Sequence, residues 1–290
     1  MPSQTVSLLI RQATRDIKRS KAIDHWQDGR EQDDAEVLLA HVLGIDPDDL
    51  DFTATVIAAD ARRFAPLVKR RVTGEPVALI TGEFDFRGMR LATRRGVFIP
   101  RYSSDALVDQ AKIYLRRRRG ERIAVDVCTG AGGVPIALAN ELRGITAYGL
   151  DISEAAVQLG KDNAKDVGIK GVRFIASDLI DRLPRSLLGK VAVFTMHPPY
   201  VTREEVATLP REIIDWEPEH TLTDKSEDGL ELTRRLAAEA PPWLAPRGVV
   251  LIEIGPHLAR KAAGVFRKAG YRDVSIERDD VGATRVIVAR

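Results

Sequence analysis

The sequence has little of what several specialised chemistries require. Its single cysteine, Cys128, excludes an internal disulfide framework and any cysteine-rich zinc site. No apolar run reaches the length that spans a bilayer. The start, Met1-Pro2-Ser3-Gln4-Thr5-Val6-Ser7, lacks a signal-peptide pattern, so a cytoplasmic location and no membrane partner are expected. Neither sign of charge dominates. Lys and Arg total 44 and Asp and Glu 42, a formal net charge of +2, too small to make nucleic acid an expected direct partner. Internal repeats and low-complexity segments are absent. What is present is core material: 44% apolar residues in 290 suit one large or two moderate domains.

Residues 1–74 read as helices. Val6, Leu8, Leu9, Ile10 and Ala13 open one amphipathic stretch. Asp34 to Leu43 and Ala59 to Val72 give two more with helical spacing. Gly44 is a helix stop, Asp46-Pro47 starts a turn, and Gly74-Glu75-Pro76 breaks the third helix. No cluster of ionisable groups that looks catalytic stands out here, so a packed module and a partner-recognition platform are equally open. Residues 75–99 change period: Phe84 to Leu91 alternates around Gly88, the pattern of a β-hairpin.

From about residue 104 helices and strands alternate, which predicts a mostly parallel sheet. A helix over 105–115 ends in Arg116 to Arg119, a run that reads as a solvated helix end or as a contact for an acidic partner. Strands are expected at 123–127, 146–150, 172–176, 191–196 and 249–254, with two more at 274–277 and 284–288. A helix interrupted by Pro241-Pro242 is expected over 229–244, and another over 257–269.

Between the first strand and its helix lies Cys128-Thr129-Gly130-Ala131-Gly132-Gly133, a turn that lets a ligand approach the backbone. Its spacing differs from the dinucleotide fingerprint. Asp126-x-x-x-Gly130-x-Gly132 is instead similar to the cofactor loop of S-adenosyl-L-methionine (SAM) methyltransferases. Asp151 ends the second strand, 21 residues after Gly130, where an acid can accept from ribose hydroxyls. Asp178 follows the third strand and is placed to accept from an adenine amino group. Alone, each acid reads as an ordinary loop or cap residue; three at successive strand ends read as a site.

The fourth strand runs into His197-Pro198-Pro199-Tyr200. Neither proline can donate to a ladder, so the strand stops and its tip carbonyls stay open beside an imidazole and a phenol ring. Ligands of open α/β sheets bind at such carboxyl ends.

The chain resembles the protein-(glutamine-N5) methyltransferases of peptide-chain release factors, the HemK/PrmC family, over nearly its full length. The resemblance rests on Asp34 to Gly44, Gly74-Glu75-Pro76-Val77-Ala78, Ile99-Pro100-Arg101 and the Gly-rich loop. It continues in Glu217-Pro218, Glu227-Asp228-Gly229-Leu230, Glu253-Ile254-Gly255 and Arg285 to Arg290. It implies an α/β class I SAM-dependent methyltransferase domain, with a Rossmann-like seven-stranded sheet, over 100–290. Before it come a small helical substrate-recognition domain, 1–74, and a β-hairpin linker, 75–99. It implies SAM as cofactor, S-adenosyl-L-homocysteine as product, no metal, and a release factor or another protein or peptide as substrate.

Cofactor binding is expected at Asp126, Thr129, Gly130, Gly132, Asp151, Asp178 and His197. His197, Pro198, Pro199 and Tyr200 are expected to be catalytic and, with Arg101, to bind substrate. The family motif is Asn-Pro-Pro-Tyr, in which the Asn oxygen and a proline carbonyl hold the amide N–H groups and aim the nitrogen lone pair. Here His197 replaces Asn, Cys128 stands where Gly is usual, and Tyr102-Ser103-Ser104 replaces Pro-Glu-Thr. Neutral His197 can accept an N–H or act as a base. A different acceptor on the same fold, or SAM binding without catalysis, are the alternatives.

Overall fold

The computed structural model describes residues 4–25, 28–279 and 281–290. The chain divides into two compact units, Met1–Glu83 with Thr208–Glu217, and Phe84–Ala207 with Pro218–Arg290.

In the first unit, β1 (Gln4–Thr5) leads into α1 (Val6–Lys18), whose N-cap Thr5 accepts from the Leu8 amide. Val6, Leu9, Ile10, Ala13 and Ile17 recur at helical spacing and are buried. α2 (Arg30–Leu43) ends at Gly44, where φ is 70°. It starts four residues before the apolar pattern does. Its polar first turn carries Glu31 and Asp33, which suit a helix N-terminus but leave no apolar signal. β2 (Thr55–Val56) pairs antiparallel with β1. α3 (Ala58–Val72) and the short α4 (Val77–Thr81) complete the helices. Ile17, Leu38 and Leu39 are fully buried in one core with Phe64, Val68 and Ile80. Each such side chain contributes about 1.5–3 kcal/mol on burial.

The first unit also holds an ion network. Arg71, 1% exposed, donates through Nε to Asp34 Oδ2 at 2.6 Å and through Nη2 to Glu212 Oε2 at 2.9 Å. Arg30 grips both oxygens of Glu212, at 2.7 and 2.9 Å, and the Asp24 amide donates to Oε1 at 3.0 Å. The network is one of ions paired with each other, which the expectation of no catalytic-looking cluster in these helices did not address. Its members lie far apart in sequence, so no local pattern reveals it.

The second unit starts at Phe84, inside the hairpin of β3 (Glu83–Phe86) and β4 (Met89–Ala92), which is turned by Arg87 (φ 55°) and Gly88 (φ 72°). α5 (Asp105–Arg117) precedes β5 (Arg122–Val127), α6 (Gly133–Glu141), β6 (Ile145–Asp151), α7 (Glu154–Asp166), β7 (Val172–Ala176) and β8 (Val191–Met196). After β8 come α8 (Arg203–Val206), and α9 (Arg211–Ile214), which belongs to the first unit. Then follow α10 (Glu231–Glu239), β9 (Leu244–Glu253), α11 (Ala259–Lys268), β10 (Val274–Arg278) and β11 (Thr284–Ala289).

The sheet order is β10-β11-β9-β8-β5-β6-β7, parallel from β9 to β7, with β11 antiparallel to both neighbours. Order reverses at β5, the switch point where ligands bind in open sheets. Side-chain alternation splits the core: Val125, Phe194 and Ile252 pack with α10 and α11, while Ala124, Val193 and Leu251 pack with α5, α6 and the hairpin.

One expectation fails. The interrupted helix over 229–244 is α10 alone, followed by a 3-10 turn over Pro241–Trp243, and β9 starts at Leu244 rather than 249. The early part of β9 is hidden in sequence by Pro246, Arg247 and Gly248. Arg247 has φ 62°, and the β8–β9 register shifts there.

Candidate active site

Asp126 lies one residue from the end of β5, in register with Gly149 on β6 and Thr195 on β8. It is 3% exposed and accepts from the Thr195 hydroxyl at 2.7 Å. Burial, with the neighbouring charges of Asp151 and Glu253 adding to it and the Thr195 bond opposing it, pushes its carboxyl up to about 7.

The loop after it is held from several sides. The Thr129 amide donates to the Leu150 carbonyl at 3.0 Å, and the Gly130 amide to Asp151 Oδ2 at 2.9 Å. The other oxygen of Asp151 takes the Ser153 amide at 2.9 Å. A carboxylate has further lone pairs, so both oxygens can still accept from a ligand hydroxyl. Asn163 on α7, 1% exposed, donates to the Ala131 and Ala92 carbonyls and accepts from the Ala92 amide, which ties the loop to β4.

Gly132 has a packing reason of its own. A Cβ there would come within 2.8 Å of the Phe174 ring, which also fills the space left by Gly149 and Gly160. Cys128 has φ 58°, a conformation that Gly adopts freely. Its thiol is pushed well up by burial and by Asp151 and Asp126, the opposite of an activated nucleophile. Asp178, just past β7, is half exposed and pairs with Arg235 at 3.0 Å.

At the tip of β8 the His197 side chain is 15% exposed. Phe98 meets the imidazole edge-on at 5.5 Å between centroids, and Tyr200 stacks on it at 5.8 Å. His197 Nδ1 faces Glu253 Oε2 at 3.2 Å and Ser104 Oγ at 3.4 Å. Ser104 Oγ in turn donates to Glu253 Oε2 at 2.6 Å. Pro198 is buried and Pro199 partly so. Gly229, with φ 64°, lies so close to the Tyr200 carbonyl that a Cβ there would overlap it. The Tyr200 phenol is pushed up by burial and by Glu253. Arg101 stacks on Phe98, 4.6 Å from the ring centroid, and donates to the Ile99 carbonyl.

A cavity of about 50 Å³ brings His197, Arg101, Asp126, Thr129 and Gly130 together with Ser104 and Cys128. Asp151 joins them through its bond to Gly130, whereas Asp178 stands apart with its arginine. Sequence reasoning missed Thr195 and Glu253 as parts of the site, and marked Ser104 only as one of the departures from the family pattern. One signal was available: Glu253 is an acid closing an otherwise apolar strand, the same pattern that drew notice to Asp126 and Asp151.

The donor set fits SAM in its charge. Asp126 and Asp151 are acids, and SAM carries a sulfonium and an ammonium group. Gly130 adds a loop whose missing side chain would meet nothing closer than Phe98 at 3.9 Å. Strand order, Gly-rich loop and acids at the strand tips define a class I SAM-dependent methyltransferase. The hMettl16 catalytic domain, solved with an RNA hairpin, shares the fold: TM-score 0.56, 14% identity, 87% of this chain and 90% of that one covered.

Residues 9–82 match the PrmC N-terminal domain family and residues 120–195 a methyltransferase domain family. Release factor glutamine methyltransferases of Thermodesulfovibrio yellowstonii and Nitratidesulfovibrio vulgaris are 31% and 33% identical. The alignments cover 88% of this chain in each case, and 91% and 87% of theirs. That of Bordetella pertussis is 33% identical over 87% of this chain and 92% of its own. The chain belongs to the release factor glutamine methyltransferase family. No helix among the described residues is long and apolar enough to cross a membrane, and none of their His, Cys, Asp and Glu side chains group as a metal site.

Proposed function

We propose that this chain transfers the methyl group of SAM to the side-chain amide of a glutamine in a peptide chain release factor. When bound, SAM supplies a methyl group whose sulfonium leaving group needs no metal or covalent enzyme intermediate. The loop Thr129 to Gly132 and Asp126 hold the amino-acid end of the cofactor. Asp151 accepts from the ribose hydroxyls, and Asp178 from the adenine amino group in exchange with Arg235.

The observation that carries the reading is the corner at the end of β8. Two prolines and the Gly229 contact fix the backbone there, and Phe98 and Tyr200 flank the imidazole. An amide nitrogen is a poor nucleophile, so catalysis depends on orientation. His197 and the Pro198 carbonyl accept its two N–H groups, Tyr200 packs beside it, and Arg101 lines the entrance. Incubation of the enzyme with a recombinant release factor and labelled SAM should place label on one glutamine, located by peptide mass spectrometry. No incorporation at saturating enzyme rejects the reading.

A second reading keeps the fold and cofactor but changes the acceptor to a small molecule or another peptide amide. The pairing of His197 with Glu253 favours it, because a base suits an acceptor that loses its proton more readily than an amide. If release-factor methylation appears only in His197→Asn, the second reading holds.

A further inference from the structure

Glu253 is 1% exposed, and its Oε1 meets no hydrogen-bond partner among the described residues, while Oε2 receives Ser104 and faces the imidazole. Building on the methyltransferase reading above, we propose that Glu253 and Ser104 set the tautomer of His197, and that His197 takes the proton which the acceptor nitrogen loses.

The tautomer follows from counting protons. Ser104 has one, and its 2.6 Å approach to Glu253 Oε2 is the length of a hydroxyl-to-carboxylate bond. It therefore has none to give to His197 Nδ1. The carboxylate has none either. Nδ1 thus faces two acceptors and carries the hydrogen, and the neutral ring has its lone pair on Nε2. Ser104 comes from the turn before α5, and Glu253 from the end of β9. Phe98 and Tyr200 hold the ring plane, and Arg101, Asp126 and Cys128 are the other charged or titratable groups of the shared cavity.

The chemistry requires a proton acceptor. The acceptor nitrogen forms its new bond to the methyl carbon with its own electron pair. The carbon–sulfur bond breaks with its pair going to sulfur. The nitrogen is left with one proton too many. An amide side chain such as Asn is too weakly basic to take it. The Nε2 atom of His197 takes it, and the imidazolium that results is stabilised through Nδ1–H by the Glu253 carboxylate, with Ser104 fixing that carboxylate in turn. Glu253 and Ser104 are positioning residues. Relative to the Asn-Pro-Pro-Tyr corner, this chain has exchanged an oriented dipole for a base.

Two measurements test this. The first is the ¹⁵N spectrum of histidine-labelled enzyme with bound S-adenosylhomocysteine, His197 being assigned among the five histidines by its loss in His197→Asn. It should show Nδ1 protonated and Nε2 bare at high pH; the opposite tautomer overturns the proposal. This result does not depend on which acceptor is used, so it stands or falls apart from the release-factor reading.

The second is a double-mutant cycle on methyl transfer. Glu253→Gln should lower kcat at least about 100-fold in the wild-type background, with the affinity for S-adenosylhomocysteine retained. In the His197→Asn background it should cost less than about threefold. Equal losses in both backgrounds would mean that Glu253 is merely structural and would overturn the proposal. Ser104→Ala should lose less and Ser104→Thr should restore the loss. The acid limb of the wild-type pH profile should vanish in His197→Asn; its persistence there would exclude His197 as the proton acceptor.

Discussion

Each unit buries a cluster of charge, and the two are balanced differently. In the helical unit two cations, Arg30 and Arg71, meet two anions, Asp34 and Glu212, through direct hydrogen bonds. Burial raises Glu212, but the Arg30 bond and the charges of Arg71 and Arg30 outweigh it and hold the carboxyl below its ordinary value, whereas at Asp34 burial outweighs Arg71 and Arg30 and holds the carboxyl above it. In the methyltransferase unit Asp126, Asp151 and Glu253 gather with one imidazole, and burial pushes Asp126 and Asp151 up. A closed network holds helices together. An acidic surplus costs stability and is kept where a cationic ligand can use it.

The largest effect is expected at Arg71. Replacing it with Met strands Asp34 and Glu212 without their buried partner, at a cost of about 3–5 kcal/mol in urea unfolding. A loss under about 1 kcal/mol would break the comparison, because the network would then not be what holds the helices.

Asp126 comes next. It ionises near 7 in the folded chain and near the usual ~3.9 in the unfolded one. Between those values the folded state keeps a proton that the unfolded state has lost, so this group's contribution to stability falls as the pH rises toward 7. The slope difference between wild type and Asp126→Asn, from denaturation at several pH values, should approach but not exceed ~1.4 kcal/mol per pH unit in that window. Equal slopes would show that the surplus carries no cost.

Gly229→Ala sharpens the contrast by testing a constraint of the backbone rather than of charge. Ala at φ 64° costs about 1–2 kcal/mol. Its overlap with the Tyr200 carbonyl should displace the corner and lower kcat about 100-fold. Smallest is Cys128→Gly. Relief of the positive φ is offset by the entropy of Gly, for a net gain below about 1 kcal/mol in thermal unfolding.

The sheet could be read in the sequence because β5, β6, β7 and β8 are short apolar runs closed by acids or prolines, and α6 and α7 follow directly. The Gly-rich loop and His197 were legible for the same reason: their meaning is local. What escaped is non-local. Ser104 and Glu253 are 149 residues apart, and Arg30 and Glu212 are 182 apart. A charged residue inside an amphipathic helix looks solvated until its partner arrives from elsewhere. Gly132 looked like a cofactor residue because the loop motif contains it, yet its ring neighbour Phe174 lies 42 residues on. Cys128 stands where Gly is usual, and its positive φ is the conformation that Gly adopts freely.

The segment Thr208–Glu217 belongs to the helical unit, although residues on both sides of it belong to the other. The polypeptide therefore changes unit three times rather than once. Cutting after residue 83 would release helices that lack Glu212, their shared counter-ion. Nor could the N-terminal helices be exchanged with a homologue's by a single crossover: such a chimera would pair one parent's arginines with the other parent's glutamate, so the two stretches must be inherited or engineered together.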